Sequence, residues 1–213
     1  MNEIRAVVSD FGGVLTSPLA DAFLEAQVTL GVPIDVFGEA LYAIERGSGG
    51  NPLHELERGS IPEAEVIEAL EREVAGALGR QIDLSGLGQA FFGRLLPNRE
   101  MIELLQTLAG RNYRIALLTN NVREWQPLWR ALIPVEELFE QVVDSAFVGM
   151  RKPERGIYEL LLRLLDLDAR QCLFVDDREI NCEAARELGF HTVHFRSTSE
   201  AITAIEAALS RSA

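Results

Sequence analysis

Five short apolar runs rich in β-formers punctuate the chain: Ile4–Ser9, Arg114–Thr119, a weaker Gln141–Asp144, Cys172–Val175 and His191–Phe195. Between the later ones, apolar residues recur at helical spacing over Glu100–Gly110, Glu154–Leu165 and Ile180–Leu188, and again over Ser199–Leu209 at the end of the chain. Strands alternating with helices predict an α/β protein with a Rossmann-like parallel sheet covered on both faces. Residues 17–95 break this rhythm. They predict helices over Asp21–Leu30, Val36–Ile44 and Pro62–Leu78, the last preceded by the capping-box spacing Ser60-Ile61-Pro62-Glu63. Arg46 to Pro52 (RGSGGNP) reads as a loop. The expected organisation is an α/β core made of residues 1–16 and 96–213, with a small helical insertion over 17–95 after the first strand.

Composition narrows the possible partners. The net charge is −13, from 33 acidic and 20 basic residues, and no long Lys/Arg cluster appears. Nucleic acid and anionic membrane are therefore not expected partners. An acidic protein that handles an anion must concentrate its positive charge locally. Cys172 and Cys182 are the only cysteines, which gives neither a disulfide framework nor a zinc site. The first apolar run is too short for a signal peptide and is broken by Asp10, and no run reaches the roughly 18 apolar residues of a membrane span. A cytoplasmic protein is expected.

In an open parallel sheet, ligands bind beyond the C-terminal strand ends. There the first run (AVVS) gives way to Asp10, and Thr119-Asn120-Asn121 ends the second. The third is followed by Gly149-Met150-Arg151-Lys152-Pro153, and the fourth ends at Asp176-Asp177. Taken singly, each has a plain structural explanation: a turn or helix cap for the carboxylates, a loop for Thr119-Asn120, a solvated turn for Arg151-Lys152. Four such features in order at one sheet edge are harder to explain that way. Clustered carboxylates repel unless a cation sits among them, and an oxygen-only set favours Mg²⁺. A carboxylate, a metal, a lysine and hydroxyl donors suit phosphoryl transfer.

These residues resemble the four motifs of the haloacid dehalogenase superfamily: Asp10 in SDFGGVL, Thr119 in ALLTN, Lys152 in GMRKPE, and Asp176 with Asp177 in LFVDDREIN. Within the superfamily the chain resembles the phosphatase domain of soluble epoxide hydrolases and the bacterial sugar-phosphate phosphatases similar to it. The insertion resembles their small cap, down to Glu57-Arg58-Gly59-Ser60-Ile61. The resemblance implies a Mg²⁺-dependent phosphatase of small phosphorylated metabolites. Asp10 would form an aspartyl-phosphate, Thr119 and Asn120 would hold phosphate oxygens, and Lys152 would bridge nucleophile and phosphate. Asp10, the Gly12 carbonyl and Asp177 would bind Mg²⁺, with Asp176 beside it or acting through water, and Asn181 in support.

One departure stands out. Most phosphatases of the superfamily carry a second Asp two residues after the nucleophile, as general acid and base; here that position is Gly12. Two alternatives follow: a 2-haloacid dehalogenase, which needs no metal, and a non-catalytic protein that binds phosphorylated ligands. The acidic pair argues against the first, and the retained nucleophile and lysine against the second. Among the remaining candidates, Trp125 and Trp129 read as packing residues or as a specificity wall. Arg123 and Arg151 read as solvated surface by default, with anion binding as the alternative; His54, His191 and His194 match no family role, and His191 and His194, in or near the last strand, read as structural.

Overall fold

The computed structural model describes residues 3–211. Five strands form one parallel sheet: β1 (Ala6–Ser9), β2 (Arg114–Thr119), β3 (Gln141–Asp144), β4 (Cys172–Asp176) and β5 (His191–His194). Their order is β3-β2-β1-β4-β5, so β1 is central. All four pairings are parallel, with Ser9 opposite Leu117 on one side and Val175 on the other. The strand alternation sorts side chains onto two apolar clusters. Val7, Leu117, Leu173 and Val175 join helices Arg99–Gly110 and Thr198–Ser210 on one face. Ala6, Val8, Ala116, Leu118 and Phe174 join helices Arg155–Leu165 and Glu179–Glu187 on the other. Two-sided cover explains why these strands read as continuous apolar runs.

The helices Leu19–Leu30, Ile34–Ser48, Pro52–Glu57, Glu63–Leu78 and Leu87–Phe92 lie between β1 and β2 in the chain. Many of their side chains build a third cluster around Phe37, Leu56, Leu70 and Val74. The chain leaves and re-enters the core side by side. Thr16 bridges to Pro97, and the Ser17 amide donates to the Leu96 carbonyl at 2.7 Å. Asn98 fastens this exit, donating to the Val14 carbonyl (2.9 Å) and the Thr198 hydroxyl (3.0 Å). Among the described residues, no helix is long and apolar enough to cross a membrane.

Two sequence expectations fail within 17–95. Arg46, Gly47 and Ser48 are helical rather than looped, and the helix closes at Gly49. The Ser48 hydroxyl donates to the Ile44 carbonyl (2.9 Å) and Arg46 lies over the Tyr42 ring, contacts four residues apart that accompany the helix past Gly47. The loop is thereby shortened, and Asn51 caps a further helix starting at Pro52. The capping box at Ser60–Glu63 does not form. The helix is preceded by Pro62 without a side-chain cap, and the Ser60 hydroxyl turns back to Glu55, while Glu63 is taken by Trp125.

Candidate active site

The site begins where β1 ends. The Asp10 amide donates to the Val175 carbonyl at 2.8 Å, which fixes the start of the loop against β4. Asp10 Oδ1 accepts from the Phe11 amide (2.7 Å) and lies 2.7 Å from Lys152 Nζ. Lys152 Nζ also donates to Asp176 Oδ2 at 2.6 Å. The lysine is 1% exposed and Asp176 is fully buried. The other Asp176 oxygen accepts from the Asn181 side chain and the Arg178 amide, both at 2.9 Å. Asn181 is held in turn by the Tyr158 hydroxyl, which donates to its carbonyl at 3.0 Å.

One carboxylate oxygen each from Asp10, Asp176 and Asp177 come within 4.8 Å of one another. A single lysine cannot balance three carboxylates. Burial pushes the Asp10 carboxyl up to about 8; Lys152 opposes the rise, and Asp176 and Asp177 add to it. Asp177 is raised as well, by burial and then by Asp176. Burial alone would lower Lys152, but Asp10 and Asp176 overturn that and hold it above its ordinary value. This donor set fits a hard divalent cation: oxygen ligands and a local deficit of positive charge. Asp176 already has three donors on its two oxygens, whereas among the described residues the Asp177 carboxylate is engaged by a single backbone amide, its own.

Gly13 shapes the same spot. Its φ is +75°, and a Cβ there would lie 2.5 Å from Asp177 Oδ2. The loop after β1 can therefore run against that carboxylate only with glycine. The motif singles out Gly12, whereas the need for glycine at 13 arises from the approach of Asp177, far away in sequence. At Gly12, a Cβ would lie 2.7 Å from Leu19 Cδ1. Hydrocarbon from the first inserted helix fills the space an acidic side chain would need.

Thr119 is buried at the end of β2, its hydroxyl tied only by a long 3.5 Å contact to the Asn120 carbonyl. The Asn120 side chain accepts from the Lys152 amide (2.8 Å) and donates to the Lys152 carbonyl (2.9 Å), so its carboxamide holds the lysine's backbone. Arg151 is likewise not solvated: it is 5% exposed and its Nε donates to Glu57 Oε2 at 2.5 Å. Next to it Arg58 donates to Glu154 at 2.6 Å. These crossed pairs tie helix Pro52–Glu57 and the residue after it to the loop that carries Lys152. Arg123 lies over Phe147 and donates to the Ala146 carbonyl. His194 gains a position: its Nε2 is 3.0 Å from the Asp177 carbonyl and its Nδ1 2.6 Å from Glu179. His54 stands beside Arg151 and Glu57, its imidazole lowered by burial and then by Arg151.

A cavity of about 220 Å³ opens beside the nucleophile, lined by Phe11, Gly12, Thr119 and Asn120 at one end and by inserted helices at the other. Trp125 is one of its walls, whereas Trp129 is fully buried against Phe11. The two tryptophans thus divide the roles that sequence left open for both.

A Rossmann-like sheet with this carboxylate–lysine cluster at its strand ends defines a class of hydrolases. The haloacid dehalogenase-like hydrolase family matches residues 4–189, and the chain belongs to it. It is 27% identical to the bifunctional epoxide hydrolase 2 of Mus musculus over 95% of this chain, which spans 38% of that protein's length. It is 32% identical to the sesquiterpene phosphatase astK of Aspergillus oryzae, over 64% of this chain and 75% of that one. A family enzyme from Bacteroides thetaiotaomicron, solved as a magnesium complex, superposes with a TM-score of 0.69 at 24% identity, covering 92% of this chain and 94% of that one; this likeness is one of fold. The chain is a hydrolase with phosphatases among its relatives.

Proposed function

We propose that this protein is a Mg²⁺-dependent phosphatase of small phosphorylated molecules, working through an aspartyl-phosphate on Asp10. The observation that carries the reading is the placing of Lys152, buried between Asp10 and Asp176, with Asp177 clustered beside them. Asp10, the Gly12 carbonyl and Asp177 would hold the metal, with Asp176 behind them. Mg²⁺ would neutralise phosphate charge and draw electron density from phosphorus.

The chain's own residues do the rest. Asp10 attacks phosphorus; the bond to the leaving oxygen breaks and that oxygen departs with its electron pair. Lys152 stays charged throughout, screening the phosphate oxygens from Asp10 and Asp176. The Thr119 hydroxyl donates to a phosphate oxygen, and Asn120 fixes Lys152 by gripping its backbone. Water then attacks phosphorus, the acyl-phosphate bond breaks and Asp10 is regenerated as the carboxylate; the proton that the water gives up passes through solvent to the departed oxygen, which leaves as the alcohol. Residues 17–95 act as a cap that closes the cavity over the leaving group. The likeness to the sesquiterpene phosphatase astK supports phosphatase chemistry.

A panel of phosphorylated metabolites and para-nitrophenyl phosphate, with and without Mg²⁺, tests this. Phosphate release that needs Mg²⁺ and is lost in Asp10→Asn is expected. Halide release from 2-haloacids without metal, and no phosphate release, would overturn it.

A further inference from the structure

The cavity beside Asp10 is asymmetric. Its far end is made by Leu19, Phe23, Leu53, Phe91, Phe92 and Trp125. Leu19 and Leu53 are 37% and 42% exposed, so apolar surface is left open to the cavity rather than buried in the core. The polar side chains that line it are largely committed elsewhere. Asn120 grips the Lys152 backbone, the Asn121 side chain accepts from the Val122 amide (3.1 Å), and Trp125 Nε1 donates to Glu63 (2.6 Å). Trp125 therefore presents ring faces, not a donor. Glu57 is the one ionisable side chain in the lining, and Arg151 already pairs with it. At the nucleophile end Leu19 fills the space beside Gly12.

Resting on the phosphatase reading, we propose that the leaving group is a compact, uncharged, apolar organic group, and that polyhydroxylated phosphates such as sugar phosphates are disfavoured. A hydroxyl moved from water against this far wall of hydrocarbon and ring faces gives up hydrogen bonds that Leu19, Phe23, Leu53, Phe91 and Phe92 do not replace. A methylene moved there gains from leaving water. The volume sets the size. An apolar cavity of about 150 Å³ accommodates benzene, so the 220 Å³ here suits an organic group of roughly nine non-hydrogen atoms.

The test is kcat/KM with Mg²⁺ for n-alkyl phosphates from methyl to dodecyl, with glycerol 3-phosphate against propyl phosphate as the matched polar pair. Glycerol is the better leaving group of the two, so leaving-group chemistry works against the expected order. The account expects a rise of about fourfold per methylene, levelling off near nine carbons, and propyl phosphate ahead of glycerol 3-phosphate by on the order of 10-fold or more. Phe91→Ala enlarges the far end and should move the levelling-off to longer chains. A flat alkyl series with glycerol 3-phosphate ahead would overturn the substrate class and leave the phosphatase reading standing. No Mg²⁺-dependent turnover of any member, para-nitrophenyl phosphate included, would overturn both.

Discussion

Lys152 is buried with its ammonium between two carboxylates, whereas Leu19 and Leu53, lining the adjoining cavity, leave more than a third of their surface open. At the strand ends most polar atoms are committed: Asp176 to three donors, Asn181 to Asp176, Asn120 to the Lys152 backbone. On the cap side the wall is hydrocarbon and aromatic ring, with Phe91 and Phe92 packed edge to face against each other and both near Trp125. The floor is specified by charge balance in a low-dielectric site, where one missing partner exposes the others to repulsion. The wall is specified by area and shape, where one substitution alters which molecule fits. Changes to the floor should therefore abolish function, and changes to the wall should redirect it.

The largest effect should come from removing the one cation of the floor. Lys152→Met leaves Asp10 and Asp176 unpaired in a buried site. It should cost about 3–5 kcal/mol of stability in denaturant titration and lower kcat by at least about 10²–10³-fold. A variant with wild-type kcat would place the floor's electrostatics outside the chemistry.

Gly12→Asp sits where floor and wall meet. The new side chain must displace Leu19, which is flexible and partly exposed. A carboxylic acid there supplies a proton to leaving groups that need one, an effect of about 10²–10⁴-fold in general. Rates for alkyl phosphates should rise relative to aryl and acyl phosphates. The same dependence on leaving-group pKa in both proteins, with folding and Mg²⁺ binding preserved, would show that Gly12 does not mark a missing acid.

Gly13→Ala tests the floor from the backbone side. An L-residue at φ +75° costs about 1–2 kcal/mol, and its Cβ collides with Asp177 Oδ2. Stability should fall by that amount and Mg²⁺ affinity in calorimetry should fall with it. Unchanged Mg²⁺ affinity would remove Asp177 from the metal site.

The charge crowding of the floor also sets a dependence on pH. The Asp10 carboxyl lies near 8 when folded, against about 4 in an unfolded chain. Between these values the folded state holds more protons than the unfolded one, so metal-free stability falls as pH rises from about 4 to 8. Asp10→Asn should remove that slope, and Mg²⁺ should restore wild-type stability most at the alkaline end. Parallel Tm–pH curves for the two metal-free proteins would contradict the crowding of charge at Asp10.

The sheet was legible because each strand is an apolar run ending in a polar residue, and β2 and β3 run as their sequences predict. β1 starts at Ala6 rather than Ile4, and β4 extends one residue to Asp176. The motif residues were legible because they stand at strand ends in chain order. What stayed hidden depends on contacts far apart in sequence. Nothing local distinguishes Arg151 as buried; Glu57 does, from 94 residues away. The burial of Gly13 against Asp177 is equally nonlocal. Helix Pro52–Glu57 did have a local signal, the Asn51-Pro52 start, masked by the preceding glycines. Helix Leu87–Phe92 carries two glycines at its start, and Gly88 is needed because a Cβ would meet Trp125.

The central claim is a covalent step at Asp10 in a Mg²⁺-loaded site. Beryllium fluoride with Mg²⁺ mimics a phosphorylated aspartate, so thermal unfolding with and without it reads that step directly. The account predicts a clear rise in Tm for the wild type and none for Asp10→Asn, both folded beforehand. Equal stabilisation of the two proteins would contradict it.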